Sequence, residues 1–318
     1  MKLPKLKIGK LVADVPIIQG GMAIRISTAR LAAAVAKEGG IGLIAASGMA
    51  FDELRKEIRL ARRLTDGKGI IGINAMVAAR EFLGLLHTAI SEGIDLIVAG
   101  AGFSRDMFAL GKKSDTPIVP IVSTAKLAKI SQSLGAAAVV AEGKEAGGHL
   151  GTDLPMRVLL PEIKNNVDIP VIAAGGVING RDIVDTIRLG ADGVQMGSRF
   201  AASCEANGAP VLKEFYLKIK QQDMLLIDSP VGYPGRAVKN PFALKILEGT
   251  AAKPKICDSC LKSCTRKFCI IRALTRAQQG DVDTGLVFVG ERMNEINDVL
   301  PVKEIFSRLL NEIETMNV

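Results

Sequence analysis

The sequence predicts an α/β fold of the (β/α)8 TIM-barrel class, and three observations carry the prediction. Between residues 15 and 200, short runs rich in valine, isoleucine and alanine alternate with amphipathic stretches of helical period. The short runs are apolar along their whole length, as in parallel strands that are covered on both faces. Several amphipathic stretches stop at a glycine, the residue favoured just past the end of a helix, at Gly39, Gly93, Gly135 and Gly190.

Eight candidate strands follow one another along this region. They are Val15–Gln19, Ile41–Ala45, Gly69–Asn74, Asp95–Ala99, Pro117–Val122, Ala138–Glu142, Ile169–Ala174 and Gly193–Met196. Candidate helices lie between them, among them Ser27–Glu38, Asp52–Leu64, Ala79–Glu92, Thr124–Leu134 and Arg181–Leu189. Eight strand–helix units of about 20–30 residues each favour a closed barrel over a doubly wound sheet. No Gly-x-Gly-x-x-Gly opens a helix after the first strand, which counts against a dinucleotide-binding Rossmann domain.

The pattern changes after the eighth strand. Residues 201–290 contain helical runs at Pro210–Gln221 and Phe242–Glu248, a loop rich in proline and glycine, and four cysteines. The last stretch, Val302–Thr315, is amphipathic again and is predicted to be the eighth helix of the barrel. We therefore expect a barrel built from residues 1–200 and 291–318. Residues 201–290 are expected to be a mainly helical insertion that covers the barrel mouth as a lid.

Composition restricts the class of protein. A hydrophobic content of 48% with 33 glycines in 318 residues fits a compact α/β protein. No apolar run reaches the ~18–20 residues of a membrane helix, and the amino terminus lacks the pattern of a signal peptide, so a cytoplasmic location is expected. The net charge of +8 is scattered, which fits either an anionic ligand or a mildly basic solvated surface. Scarce aromatic residues argue against nucleic-acid binding, and a homodimer is compatible with the sequence.

Two of the predicted strands run directly into glycine. Gly175 and Gly176 follow the seventh strand, and Gly197 with Ser198 follows the eighth. Glycine at such a turn lets backbone N–H groups approach a ligand without a Cβ in the way, and two turns side by side form a concave nest that suits a phosphate. Barrels of this class commonly hold a cofactor phosphate at these two strands.

The other strand ends indicate what kind of ligand lies there. Active sites of such barrels lie at the C-terminal ends of the strands. The residues expected at these ends are mostly glycines, amides and hydroxyls, and the titratable ones are Glu142, Lys144, Glu145 and His149. This set suits a large, planar, hydrogen-bonding cofactor better than direct hydrolysis.

Four stretches, in chain order, resemble the nitronate monooxygenase (2-nitropropane dioxygenase) family, of which the enoyl-acyl-carrier-protein reductase II enzymes are a close branch. The stretches are Pro16–Met22, Glu142–His149, Gly175–Arg181 and Gly190–Phe200. The resemblance spans nearly the whole chain and implies an oxidoreductase with FMN lying across the strand ends.

The resemblance also implies roles for individual residues. The FMN phosphate is expected at the two glycine turns, and the isoalloxazine and ribityl groups near the first and third strand ends. The loop that precedes His149 is expected to approach the flavin. The cofactor-binding residues so implied are Gly21, Met22, Asn74, Glu142, Ala146, Gly147, Gly148, Gly175, Gly176, Gln195, Gly197 and Ser198.

His149 is expected to be the catalytic residue, as the acid/base or substrate-orienting group near the flavin N5 that the resemblance implies. The ordinary pKa of histidine suits proton donation or hydrogen bonding to an anionic substrate, whereas His87, within a helical run, is interpreted as structural. Glu142 and Glu145 either place carboxylates by the flavin, where they could bind a monovalent cation, or stabilise their loop. Tyr233 lies in a stretch that resembles the family's loop over the flavin, and either stacks on the ligand or is a buried turn residue.

Four cysteines depart from the typical family pattern. Cys257, Cys260, Cys264 and Cys269 lie close together in the chain. Disulfides are disfavoured in a cytoplasmic protein, so the thiols are predicted to ligate a metal. Four thiolates suit a [4Fe–4S] cluster or tetrahedral zinc, and the unequal spacing favours iron–sulfur over a two-knuckle zinc ribbon. Four free or partly paired thiols are the alternative.

The sequence thus predicts an FMN-dependent oxidoreductase, and it leaves several hypotheses about the reaction open. The first hypothesis is oxidation of alkyl nitronates, in which the nitronate reduces the flavin and oxygen completes the reaction. The alternative is NAD(P)H-dependent reduction of an enoyl thioester. The cysteines raise a third option, an NAD(P)H- or ferredoxin-linked reductase of an anaerobe. A non-catalytic flavin or metal redox sensor is the remaining interpretation.

Overall fold

Residues 3–316 are described by a computed structural model, in which the predicted strands close into a barrel. The chain starts with an antiparallel hairpin of β1 (Leu6–Ile8) and β2 (Leu11–Ala13). The strands that follow are β3 (Ile17–Gln19), β4 (Ile41–Ala45), β5 (Ile70–Met76), β6 (Leu96–Gly100), β7 (Ile118–Val122), β8 (Val139–Glu142), β9 (Gly148–His149), β10 (Val171–Ala174) and β11 (Gly193–Met196). All except β1, β2 and β9 form one parallel barrel, which β10 closes by pairing with both β8 and β11. The (β/α)8 prediction is confirmed.

Helices cover the outside of the barrel. They are α1 (Ala29–Lys37), α2 (Phe51–Leu64), α3 (Phe82–Ser91), α4 (Asp106–Ser114), α5 (Ala125–Ser133), α6 (Met156–Lys164) and α7 (Gly180–Arg188). A capping box fixes the start of α7. The Asn179 side chain accepts the backbone N–H of Asp182 at 2.9 Å, and the Asp182 carboxylate accepts the backbone N–H of Asn179 in return. Within the described part of the chain, no helix could cross a bilayer.

The amino-terminal hairpin closes one end of the barrel. Leu6 and Ile8 are buried among interior side chains that include Ile18, Leu43 and Val98. Because the strands are parallel, all their C-terminal ends lie at the opposite end. The hairpin therefore leaves the C-terminal mouth as the end at which a ligand enters.

The chain after β11 covers this mouth. It forms α8 (Ser198–Ala201), α9 (Pro210–Tyr216), β12 (Met224–Asp228), β13 (Pro234–Val238), α10 (Pro241–Leu247), α11 (Ile270–Gln278) and α12 (Val302–Thr315), with 3-10 turns at Gln221–Asp223 and Met293–Glu295. Helix α12 packs against α7 and α1, the place predicted for the eighth barrel helix.

An antiparallel sheet adds to the helices that the sequence predicted for residues 201–290. Strand β13 pairs with β12 on one side and with β9 on the other, so that Gly235 lies opposite His149. Most residues of β12 are at least partly exposed, so its sequence lacks the apolar run of a barrel strand. Strand β9, which pairs with β13, lies far away in the sequence. Local periodicity therefore does not reveal this sheet.

Packing inside the barrel is expected to dominate stability. Leu43 is 0% exposed, so Leu43→Ala should lower the free energy of unfolding by about 3–5 kcal/mol, measured by urea denaturation. Leu247, on α10, is 53% exposed, and Leu247→Ala should change the free energy of unfolding by no more than about 0.5 kcal/mol. Equal losses in the two variants would contradict the interior position of Leu43.

Candidate active site

A cavity of about 670 Å³ opens at the C-terminal mouth of the barrel, within the size range of pockets that enclose a small organic ligand. The turns that follow the barrel strands bound it on one side, and the covering segment bounds it on the other. The structure brings together at this cavity His149 and the whole predicted cofactor-binding set: Gly21, Met22, Asn74, Glu142, Ala146, Gly147, Gly148, Gly175, Gly176, Gln195, Gly197 and Ser198.

The turn after β3 lies directly against the end of β5. A Cβ added at Gly21 would lie 2.1 Å from the Cβ of Asn74, so only glycine fits there. The buried Gln19 side chain orders this turn, since its amide donates to the Ser27 hydroxyl at 2.9 Å, and that hydroxyl also accepts the N–H of Met22. These contacts fix the backbone that carries Gly21 and Met22.

The two glycine turns form the concave end of the cavity. Gly175 and Gly176 have φ of +108° and +73°, conformations that L side chains rarely adopt, and a Cβ at Gly197 would point into open space. The hydroxyl of Ser198 accepts the N–H of Gly290 at 2.9 Å, so the 290 region also borders this end. Backbone N–H groups in such a turn can surround an anion.

Arg292 supplies charge at the glycine turns, and the sequence offered no motif that would have found it. Its Nη1 donates to the carbonyl oxygen of Gly176 at 2.7 Å and lies 2.8 Å from a carboxylate oxygen of Asp182. A bidentate pair with Glu295 holds the guanidinium from the other side. These partners, Glu295 first, raise the pKa of Arg292, which stays cationic. It lines the cavity beside the predicted phosphate position.

Glu142 is a buried carboxyl group at the end of β8. The residue as a whole is half-buried and lines the cavity. Burial raises the pKa of Glu142 to about 8, and among the described residues its side chain has no hydrogen-bond partner. Glu142 is therefore mostly protonated at neutral pH and can donate a hydrogen bond to a ligand.

Glu145 stabilises its own loop, the second of the two roles considered for it from sequence. Its Oε2 accepts the backbone N–H of Met156 at 2.9 Å, which ties the loop to the start of α6. Close by, a Cβ at Gly147 would lie 2.6 Å from the carbonyl carbon of Val289, so the loop packs backbone to backbone against the chain before Arg292. The glycines of this loop thus set one wall of the cavity.

His149 is held by the covering segment. Its Nε2 forms a 2.7 Å hydrogen bond with the hydroxyl of Ser229, and the Phe288 ring packs against it edge-on with centroids 5.3 Å apart. Burial lowers the pKa of His149 to about 4, so the imidazole is neutral at pH 7. The ordinary histidine pKa assumed from sequence does not hold here, because the ring has left water. His87 lies exposed on α3.

The amide of Gln195 is the clearest sign of an organic ligand. Its Oε1 is buried and, among the described residues, accepts no hydrogen bond. Buried polar atoms normally have a partner, so an N–H donor on a ligand would satisfy it. Together with the glycine turns, Arg292 and the largely apolar walls, this oxygen fits FMN, which combines a phosphate with a planar ring bearing an N–H.

Tyr233 is not among the described residues that line the cavity, so its stacking interpretation gains no support. Two charged residues near the ends of β11 are held in ion pairs instead. Asp192 accepts the N–H of Val171 and pairs with Lys164. Arg199 is buried and pairs with Asp298 at 2.6 Å.

The four-cysteine segment borders the cavity through Cys260. Burial raises the pKa of the Cys260 thiol, and the charges of Cys269, Cys264 and Cys257 raise it further, so the four sulfurs lie near enough to interact. No cysteine of the described chain is disulfide-bonded. Across residues 3–316, no group of three or more Cys, His, Asp or Glu side chains is already arranged to hold a metal ion.

A closed barrel whose last two strands end in glycine turns beside a buried unpaired amide and a neutral histidine suits a flavin-dependent oxidoreductase. Comparison with known proteins gives the family: the sequence model of nitronate monooxygenase matches residues 5–85 and 81–312. The chain belongs to the nitronate monooxygenase family, which is FMN-dependent.

Individual relatives are more varied. A carboxyl-CoA dehydrogenase acting on an octahydro-indene compound in Rhodococcus jostii RHA1 is 33% identical over 223 residues, or 70% of this chain and 62% of that protein. A probable nitronate monooxygenase of Staphylococcus aureus (strain Newman) is 30% identical over 279 residues, 73% of this chain and 77% of the relative. The solved structure of FabK from Thermotoga maritima matches with a TM-score of 0.87 and 35% identity, covering 96% of this chain and 94% of that one.

The carboxyl of Glu142 makes stability depend on pH. Between its ordinary pKa of 4.5 and the folded value of about 8, the unfolded chain loses a proton that the folded chain keeps. The free energy of unfolding should therefore fall as pH rises, by at most about 1.4 kcal/mol per pH unit. Glu142→Gln should flatten this decline between pH 6.5 and 8, measured by urea denaturation of the flavin-free chain at each pH.

Glu53→Gln is the matched control for this experiment. Its hydrogen bond with Arg25 lowers the pKa of Glu53, so this carboxylate is ionised in both states throughout that range. The control should shift the stability curve without changing its slope. A slope for Glu142→Gln equal to that of the unsubstituted chain would show that Glu142 does not carry the pH dependence.

Proposed function

We propose that this chain is an FMN-dependent oxidoreductase that oxidises alkyl nitronates. The observation that carries the proposal is that all the residues expected to bind the flavin, together with His149, line one cavity at the barrel mouth. Family membership and the curated nitronate monooxygenase relatives support the same activity.

The chain would hold FMN by its backbone more than by its side chains. N–H groups at Gly175, Gly176 and Gly197 would bind the phosphate, beside the charge of Arg292. The Gln195 oxygen would accept an N–H of the ring. Bound FMN would supply two-electron oxidation and reduction. Residues 201–290 would act as the lid that excludes water from the ring.

His149 would accept the proton of the substrate or orient the substrate. Because its imidazole is neutral at pH 7, it can accept a proton from a substrate or orient an anionic one by hydrogen bonding. Ser229 and Phe288 fix the ring, and Nδ1 bonds no other described residue, which leaves that nitrogen for the substrate. We propose Ser229 as a positioning residue that acts through His149.

Enoyl-thioester reduction is the second candidate function. FabK, an enoyl-acyl-carrier-protein reductase, is 35% identical to this chain, and another relative acts on a carboxyl-CoA compound. In this case NAD(P)H would be the electron donor, and the protonated Glu142, rather than the neutral His149, would supply the proton that follows hydride transfer.

Four thiolates in the lid would also allow a metal centre there. We propose that Cys257, Cys260, Cys264 and Cys269 bind iron–sulfur or zinc, as their spacing indicates. The support is the sequence motif and the proximity of the sulfurs rather than a formed site.

Anaerobic stopped-flow measurement of flavin absorbance tests the two candidate functions. Ethylnitronate should bleach the flavin of the purified protein, and admission of oxygen should restore the absorbance with release of nitrite. Bleaching by NADH or NADPH together with turnover of crotonyl-CoA, without reaction of ethylnitronate, would replace the first function by the second. If none of these donors reduces the flavin, a non-catalytic redox sensor becomes the better proposal.

Loss of the imidazole should affect turnover and spare the cofactor. His149→Ala is expected to lower kcat/KM by about 100-fold or more, because general acid–base groups contribute that much. Ser229→Ala should lower it less and shift the pH profile, since the ring remains. His87→Ala, on the exposed face of α3, is the control and should retain full activity. FMN release from His149→Ala during purification would assign His149 to cofactor binding instead.

A further inference from the structure

Two short turns in the cysteine segment have the same geometry. The backbone N–H of Ser259 donates to the sulfur of Cys257 at 3.4 Å, and the N–H of Arg266 donates to the sulfur of Cys264 at 3.4 Å. In each turn the donor lies two residues after the cysteine and has a positive φ, +49° for Ser259 and +55° for Arg266. Positive φ is uncommon outside glycine, so its repetition at equivalent positions marks a specific turn.

Backbone N–H groups that point at a cysteine sulfur are also found around metal-bound thiolates. Cys269 is the N-cap residue of α11, a nine-residue helix, and its sulfur lies 4.0 Å from a carboxylate oxygen of Asp258. Arg272 on that helix forms a bidentate pair with Asp258, which joins the first turn to α11. The two turns and the start of α11 thus bring the cysteines into one small region.

The same segment forms part of the cavity wall. Asp258, Ser259, Cys260 and Leu261 line the cavity. Leu261 pairs as a short bridge with Ala79, in the loop after β5. Hydrogen bonds from the Arg80 N–H to the Cys260 carbonyl and from the Lys262 N–H to the Ala78 carbonyl flank this bridge. The wall is therefore attached to the barrel just beyond the strand that carries Asn74.

Regular secondary structure does not hold this wall in place; beyond the bridge, side-chain contacts such as Arg80 with the Ser259 carbonyl and the burial of Phe268 do. In the described chain, no helix or strand lies between the end of α10 at Leu247 and the start of α11 at Ile270. Connections of this length without secondary structure are uncommon in compact domains. The segment also carries exposed Ile256 and several lysines, and few of its side chains are fully buried. A bound metal can supply the order that such a segment lacks.

We propose that Cys257, Cys260, Cys264 and Cys269 close around one thiolate-bound metal centre, and that this centre fastens the wall of the flavin cavity. The inference rests on the metal centre and the flavin named under the proposed function, and adds the role of that centre in the wall of the cavity. Because the four sulfurs do not yet converge, metal binding draws the two turns and the start of α11 together, as expected for sites completed by the metal itself.

Zinc and an iron–sulfur cluster share this thiolate chemistry, and the measurement separates them. The holoprotein is purified without oxygen, and zinc, iron, acid-labile sulfide and FMN are quantified per chain. About one zinc without sulfide, or about four iron with matching sulfide, supports the centre. Metal well below one per chain under these conditions, or cysteines found as disulfides by mass spectrometry, overturns it.

Two variants locate the site. Cys264→Ser should lose most of the metal, whereas Cys204→Ser, which removes the one cysteine outside the segment, should keep it. Equal metal content in both variants would overturn the assignment. If Cys264→Ser does not fold, treatment of the unsubstituted protein with a strong chelator gives the same comparison.

Limited proteolysis tests the fastening. After metal removal, trypsin should cut at Lys255 or Lys267 on the order of tenfold faster than in the loaded protein, because the segment opens locally. Unchanged cleavage would overturn the fastening role. The FMN content separates this proposal from the proposed function: flavin without metal refutes only the metal centre, and metal without flavin refutes only the flavoenzyme.

Discussion

The candidate site depends on close approach of the backbone at glycines. Gly21 lies against Asn74, and Gly147 lies against the carbonyl of Val289, at distances where a Cβ would clash. Gly143 similarly lies against the N–H of Met156. Because these contacts involve backbone or a short amide side chain, they give little room for adjustment. They bring the turns after β3, β5 and β8 to a common cavity, and they explain why this chain is rich in glycine at strand ends.

Burial leaves one side of the cavity uncharged, whereas the other side presents hydrogen-bond donors. Glu142 and His149 are both largely uncharged at neutral pH, for the same reason: each has lost contact with water. The glycine turns, in contrast, present backbone N–H groups, and Arg292 beside them is paired with Asp182 and Glu295. A ligand with a phosphate at one end and a neutral, planar, hydrogen-bonding group at the other matches this distribution. FMN has these properties.

The sequence could predict those features of the fold and site that depend on residues close together in the chain. Each barrel strand is a continuous apolar run that ends in glycine or a polar turn, so strand number and strand ends are readable, and the residues at those ends fall on the cavity. Arg292 and Phe288 could not be found this way, because they reach the site through contacts with residues distant in the chain and no motif surrounds them. Ser229 opens the stretch that resembles the family's loop over the flavin, but its hydrogen bond with His149 spans 80 residues and is not readable from sequence. The neutral state of His149 likewise follows from burial, which a sequence does not display.

The pairing of β9 with β13 gives the covering segment a second consequence. His149 belongs to a strand whose only partner in the described sheet is the hairpin of that segment, and its ring is held by Ser229 and Phe288 from the same segment. The hairpin that covers the cavity is therefore also the element that positions the imidazole, so the cover and the geometry of His149 depend on one backbone pairing.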